Sequence, residues 1–475
     1  MTSAPATKGD RPFRILREGM FVEVHQDLPE PAKYAALMEE YGLVNSSSQA
    51  IGLKIVPSDG TKSVMLIARP DVIEDVLRNA SAFGLQNYDD AFKTQNRNDG
   101  YSGLKFFLSE DERQYKLKRD LIGRVFGHCD HKARISDLNM TEIAADCSAS
   151  VGDAIRKNTS GNGSFDILRD YGAMVIYLVT VRAFGLRGSA RSGFWVWLLR
   201  TARALLTGRR FRLTPLSREM QNMSTSCQLF FLQLFGNFRN RNKSIQKAGL
   251  SVSKSLQRDC RKLLENSEGI APESLAAKML EAKEQMQETG ESEYKQEELQ
   301  QAVEEMLLEF VTTLMMIVQI GFAGVLKSLH QSNKNFKEVS QTASNIESGS
   351  AFINEALRLH SPTGMVFRRA KEDARLGGDK VEKDEDLILL IGVASMDAEV
   401  FSSPGELQTR RPEGAYLHFG PYEGVHACLG QLWAKEILRQ MLIALSDFEG
   451  LKFEEELRTF FGQAESWRVL YSSDS

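Results

Sequence analysis

One cysteine near the C-terminal end is set in the run Gly424-Val425-His426-Ala427-Cys428-Leu429-Gly430. Glycines on both sides let the backbone come close to a flat neighbour and take conformations closed to other residues. Trp433 to Asp447 reads as a helix that follows the cysteine, so a positive helix end is expected near the sulfur. Upstream lies Phe352-Ile353-Asn354-Glu355-Ala356-Leu357-Arg358-Leu359-His360-Ser361-Pro362. Glu355 and Arg358 stand one helical turn apart and share a face. Taken singly, such a cysteine is an ordinary core residue and such an ion pair a solvated one worth little.

Composition narrows the setting. The chain has 475 residues, 42% hydrophobic and 26% charged, enough for a large core. A net charge of −4 and short basic pieces such as Arg209-Arg210-Phe211-Arg212 speak against nucleic-acid binding. The five cysteines are scattered and include no Cys-x-x-Cys, the usage of a reducing compartment rather than a disulfide framework. His128-Cys129-Asp130-His131 has no second cluster to complete a metal site and reads as a polar loop at a helix end. Met1 to Arg14 is polar and shows no signal or anchor, and the domain is expected to run from residue 21 to 475 behind a polar tail of residues 1–20. The longest apolar run, Phe310 to Leu326, is short of the roughly 20 residues a spanning helix needs. It reads as a buried core helix, and a soluble cytoplasmic protein without stable membrane insertion is expected.

Ile51 to Val56 and Ser63 to Ile67 read as strands joined by a turn, and Val72 to Asn79 as a helix capped by Asp71. Leu168 to Phe184, Gly193 to Leu206, Arg218 to Phe238 and Ser251 to Glu265 read as helices. Asn266 to Glu298 is charged and is expected to be partly helical and exposed. Val381 to Ile391 reads as a strand pair.

The cysteine loop and the Glu355–Arg358 helix together resemble the cytochrome P450 family. The resemblance runs from about Val56 to the C-terminus and implies a mainly α fold with small β-sheets, a single heme-binding domain, and heme b (iron protoporphyrin IX) as cofactor. It makes Cys428 the thiolate ligand of the iron, where a thiolate favours O–O bond cleavage. It makes Arg411 the arginine that joins Glu355 and Arg358 to lock the loop before the cysteine. His426 and Arg368 match residues that reach heme propionates. Gly424, Gly430 and Phe419 match the cysteine loop, although Pro421 stands where the family usually has phenylalanine. Asp111 to Arg119 looks like the family's C helix, with Lys118 at a propionate-binding position and Gln114 at its partner's.

The central helix departs from the pattern. Oxygen-activating members usually carry an acid followed by a threonine. Here, if Thr312 and Thr313 align, Val311 replaces the acid; counting back from His330 instead, Met315 and Met316 replace the threonines. Glu309, one turn from Thr312 and Thr313, is the candidate substitute acid, the alternative being that it faces solvent. The segment Arg411 to Gly420, together with His426 to Gly430, looks most like the P450 domains of fungal fatty-acid dioxygenase–hydroperoxide isomerase fusions. Three functions follow from the resemblance. The first is a monooxygenase that takes electrons from a reductase or ferredoxin and oxidises a lipophilic small molecule of natural-product or lipid type. The second is a reductase-independent hydroperoxide isomerase or peroxygenase. The third is a non-catalytic heme-binding or sensing protein.

Overall fold

The computed structural model describes residues 13 to 472, except 16–20, 26–32, 42, 44–51, 58–61, 94–111, 127–134, 159–162, 187–214, 237–242, 267, 289–293, 333, 377–378, 413–414, 421–426, 455 and 461–462. The helix expected over Gly193 to Leu206 and the polar loop at His128 to His131 lie outside the described residues. The chain divides into two compact units. One comprises residues 1–87, 363–406 and 412–427; the other comprises 88–362, 407–411 and 428–475.

The first unit is built on a seven-stranded sheet. Its strands in chain order are β1 (Phe13–Ile15), β2 (Phe21–His25), β3 (Gly52–Val56), β4 (Val64–Ile67), β5 (Phe83–Gly84), β6 (Val366–Ala370) and β7 (Asp386–Leu389). Their spatial order is β1-β2-β3-β4-β7-β6-β5. The edge strand β1 falls within the stretch read from sequence as a polar tail. In β4 all four residues are buried. It pairs antiparallel to β3 and parallel to β7, with Met65 opposite Leu387. A central strand covered on both faces has no polar side, which is why Val64-Met65-Leu66-Ile67 shows no alternation. The helix expected to start after Asp71 spans Pro70–Arg78 instead, with Arg69 as N-cap. Proline suits the first helical position because the missing N–H would have had no intrahelical partner there. Val72, Ile73 and Val76 of that helix pack on Met65, Ile67, Leu387 and Leu389 to form the unit's core.

The second unit is mostly helical, and five of its helices carry the candidate site. These are α1 (Glu112–Phe126), α2 (Pro215–Gly236), α3 (Gln296–Gln331), α4 (Ile346–Leu359) and α5 (Gln431–Ala444). An aromatic hub at Trp433 of α5 ties three of these elements to the helix Met174–Phe184. The Trp433 ring lies 5.5 Å from Phe126 of α1, 6.0 Å from Phe310 of α3 and 6.2 Å from Phe184. Such rings bury the largest apolar areas available to side chains. Among the described residues α3 is the helix long and apolar enough to cross a membrane, and 67% of its apolar window is buried inside the protein, as in a core helix. It is not regular throughout: Leu314–Val318 form a π-helical turn. On the far side of that turn Gly324 lets the chain come close, since a Cβ there would stand 2.8 Å from the carbonyl oxygen of His360.

The stretch Asn266 to Glu298, expected to be exposed, contains the helix Leu275–Glu288. It buries Leu275, Ala276, Met279, Ala282 and Met286. Charge alternates too densely there for the apolar stripe to stand out, but the stripe is present. In the first half of α3 the adjacent acids Glu304 and Glu305 are held out of solvent by cations. Glu304 and Glu305 are buried. Glu304 accepts from the Arg261 guanidinium at 3.0 Å, and Glu305 from Lys118 Nζ at 2.8 Å.

Candidate active site

The C-terminal end of α4 brings Glu355 and Arg358 together. Arg358 Nε donates to Glu355 Oε1 at 2.8 Å and Arg358 Nη2 to Oε2 at 3.0 Å, a bidentate pair of fully buried side chains. Arg411, 56 positions further along, donates from Nε to Glu355 Oε2 at 3.1 Å, and the Gln408 backbone N–H donates to the same oxygen at 2.9 Å. Burial alone would raise the Glu355 carboxyl pKa. The Arg358 hydrogen bond, the Gln408 N–H and Arg411 outweigh it and hold the carboxyl below its ordinary range. One carboxylate thereby fastens the segment Leu407–Arg411 to α4.

Cys428 lies just before the N-terminus of α5, whose N-cap is Gly430. The side chain is half-buried. Removal from water pushes its thiol up to about 11, while the backbone N–H groups of Gly430 and Gln431, hydrogen-bonded to the sulfur, pull the other way. Both N–H groups belong to the positive end of a helix and favour negative charge on sulfur. A Cβ placed on Gly430 would meet no atom within 4 Å, so there is open space at that position. Among the described residues no three His, Cys, Asp or Glu side chains come together as a metal site. A lone sulfur donor at a helix N-terminus suits a metal whose other ligands come from a macrocycle.

On α3 the three candidate relay residues part company. Thr312 is buried, and its hydroxyl donates to the carbonyl of Leu308 at 2.8 Å and that of Glu309 at 3.2 Å, so it is committed to its own helix. Thr313 is exposed and Glu309 half-buried. Being four positions apart, they share one face of the helix. The π-helical turn begins at the next residue, Leu314. Such turns interrupt the hydrogen-bond ladder and occur often at functional sites.

On α1, Lys118 is fully buried in an ion pair with Glu305, and Gln301 donates to the other oxygen of that carboxylate at 2.9 Å. Gln114 is half-buried. Sequence reasoning passed over Arg119 and Tyr115, both half-buried on the same helix. Arg119 Nε donates to Tyr115 Oη at 2.7 Å, and the guanidinium sits 5.0 Å from the Tyr115 ring centroid. The available signal was the i, i+4 spacing of Tyr115 and Arg119. In the first unit, Arg368 on β6 is buried, with Nη1 donating to the Phe367 carbonyl at 2.7 Å. Phe419 is half-buried, its ring 4.7 Å from that of His418. His426 and Gly424 lie outside the described residues.

A mostly helical chain whose lone cysteine donor precedes a helix, with a Glu–Arg–Arg cluster fastening the segment Leu407–Arg411, defines a heme-thiolate class of protein. The family model "Cytochrome P450" matches residues 57–450, and the chain belongs to the cytochrome P450 family. Members of this family bind heme b, and so does this protein. The chain is 32% identical over 114 residues to the biotin biosynthesis cytochrome P450 of Bacillus subtilis, a match covering 23% of this chain and 28% of that one. It is also 32% identical over 133 residues to 2-hydroxy-5-methyl-1-naphthoate 7-hydroxylase of Streptomyces carzinostaticus, covering 27% and 32%. These matches span about a third or less of the relatives' lengths. Among solved structures, a mutant of P450 EryK in complex with erythromycin B has a TM-score of 0.67 at 15% identity, covering 94% of this chain and 98% of that one. P450BioI in complex with an acyl carrier protein carrying hexadec-9Z-enoic acid has a TM-score of 0.63 at 14% identity, covering 86% and 91%. At these identities the likeness is one of fold.

Proposed function

We propose that the protein is a soluble, cytoplasmic heme-thiolate monooxygenase that oxidises a lipophilic small molecule of lipid or natural-product type, with electrons from a reductase or ferredoxin. The observation that carries this reading is Cys428 before the N-terminus of α5, with two backbone N–H groups on its sulfur and open space at Gly430. Heme bound through this sulfur supplies the activation of dioxygen. The protein's part is to hold and shape. Cys428 would hold the iron through its sulfur, and the N–H groups of Gly430 and Gln431 would temper the charge on that sulfur. Glu355, Arg358 and Arg411 hold the segment Leu407–Arg411 in one geometry. Arg119 would be a cation for a propionate, and by the family resemblance Arg368 and His426 would each be another. Arg119 takes the place assigned from sequence to Lys118, because the Lys118 charge is already matched by Glu305 in a dry setting. Glu309 and Thr313, on one face of α3, hold and pass protons; Thr312 keeps its hydroxyl on the backbone.

Relatives named as hydroxylases and monooxygenases support the oxygen-using reading. Nothing in the comparisons favours the isomerase or the non-catalytic reading. The test is turnover of lipophilic compounds by the heme-loaded protein with NAD(P)H, a ferredoxin and its reductase, and O2. The proposal expects hydroxylated product that requires all of these components. Rapid turnover of a polyunsaturated fatty-acid hydroperoxide with no reductant, together with no reductase-dependent product, would overturn it.

A further inference from the structure

The second unit holds a cavity of about 700 Å³ that none of the candidate-site residues lines. Small-molecule sites commonly have volumes of about 300–1,000 Å³. The floor is apolar. It is made by Met223 of α2, Leu263 of the helix Lys243–Glu265, and Leu308 and Val311 of α3, all buried. Leu186 adds a half-buried wall. The mouth is charged: Asp259, Glu265 and Glu268 set three carboxylates against the one ammonium of Lys262. Glu265, Glu268 and Lys262 are exposed.

The negative sign of the mouth has a second source. The helix Lys243–Glu265 ends there, so the negative end of its dipole adds to the carboxylates. Cys260, on the cavity wall, registers the field: burial first, then the charges of Asp259 and Glu304, push its thiol up to about 12. The cavity also faces away from the relay residues of α3. Gln296–Thr313 is regular α-helix, at about 100° per residue. Leu308 and Val311 therefore point about 150° away from the face shared by Glu309 and Thr313. A ligand in the cavity lies against the back of α3.

We propose that this cavity binds an organic cation, an ammonium group carried on an apolar body, at a site separate from that of the oxidised substrate. The apolar body lies on Met223, Leu263, Leu308 and Val311, where it leaves water. The ammonium stands at the mouth beside Glu265 and Glu268. An anion of the same length gains the floor and is repelled at the mouth. The inference goes beyond the oxidation reading and does not rest on it.

The experiment is calorimetric titration of the full-length, heme-loaded protein with octyltrimethylammonium and, in parallel, with octanoate. The protein is first saturated with 4-phenylimidazole, so that the heme pocket is filled. One ammonium ion should bind per chain, about tenfold or more tighter than octanoate at low salt, and added salt should narrow the gap. Glu265→Gln and Glu268→Gln change exposed residues and should leave the fold intact. Each should weaken the ammonium about threefold, the size of one exposed ion pair, and leave octanoate no weaker. Leu186→Trp fills the cavity and should abolish binding of both. If Leu186→Trp does not fold, the two glutamine variants decide. No binding to the phenylimidazole-saturated protein would overturn the proposal, as would equal affinities for the two ions or an ammonium affinity that survives both glutamine substitutions. The readout needs no turnover. If the pattern holds in a protein that lacks a thiolate-ligated heme, the cation site stands and the oxidation reading falls.

Discussion

Replacing Glu355 by glutamine removes one negative charge from a site with two arginines. Arg358 is fully buried and Arg411 is 6% exposed, so neither guanidinium can turn to water without moving the backbone. Breaking a buried ion pair from one side costs about 3–5 kcal/mol, because the remaining charge stays desolvated and unmatched. Against a typical total stability of about 5–15 kcal/mol, that is a large fraction. The segment Leu407–Arg411 loses its tether at the same time, since Gln408 N–H and Arg411 meet the same oxygen. The assay is urea unfolding of Glu355→Gln, Arg358→Met and the double variant, read by midpoint and slope. Each single change should cost about 3–5 kcal/mol, and the double much less than their sum, since removing both partners leaves less buried charge unmatched. A Glu355→Gln cost below about 1 kcal/mol, or strict additivity, would refute the reasoning: the cluster would then be solvated in practice and could hold nothing in place.

On α1, Lys118→Met should destabilise the fold by about 3–5 kcal/mol, because the buried Glu305 carboxylate loses the opposite charge of Lys118. Arg119→Gln should leave unfolding nearly unchanged but speed loss of heme to an apoprotein acceptor; the opposite pattern would return the propionate role to Lys118. His360 gives a pH test. Burial, with the nearby Lys327 charge, lowers its pKa from 6.5 to about 4. The unfolded chain therefore binds this proton first, so stability should be level above about pH 6.5, fall between about 6.5 and 4, and lose nothing further from this group below that. His360→Gln should flatten that limb in urea midpoints taken across the range, and an unchanged slope would exclude the histidine as its source. Below about pH 4.5 Glu355 adds its own loss, as acid protonates a carboxylate whose folded pKa is depressed.

The parts of this fold that local pattern could announce were legible. Strands β3 and β4 and the apolar stretch of α3 follow from composition and length, and Glu355 with Arg358 from a one-turn spacing. The joining of Arg411 to that pair spans 56 residues and was visible only through family resemblance. Lys118 against Arg119 shows where reading along the chain stops. The two cations are neighbours on one basic helix, and what separates them is Glu305, 187 positions away. The π-helical turn at Leu314–Val318 has no local signature in Leu-Met-Met-Ile-Val, yet it resets which residues share a face afterwards. That is why counting in either direction along α3 could not place Gln319 beside Ser224 of α2, whose hydroxyl oxygen lies 3.1 Å from its side chain.

The central claim is that Cys428 sulfur binds the heme iron. The direct measurement is the absorption spectrum of the reduced, carbon monoxide-treated protein beside that of Cys428→Ser. The wild type should show the band of a thiolate-ligated heme, and the variant should lose it while keeping its far-ultraviolet circular dichroism. The same band persisting unchanged in the variant, or no heme absorption at all in wild-type protein expressed with ample heme, would contradict the account.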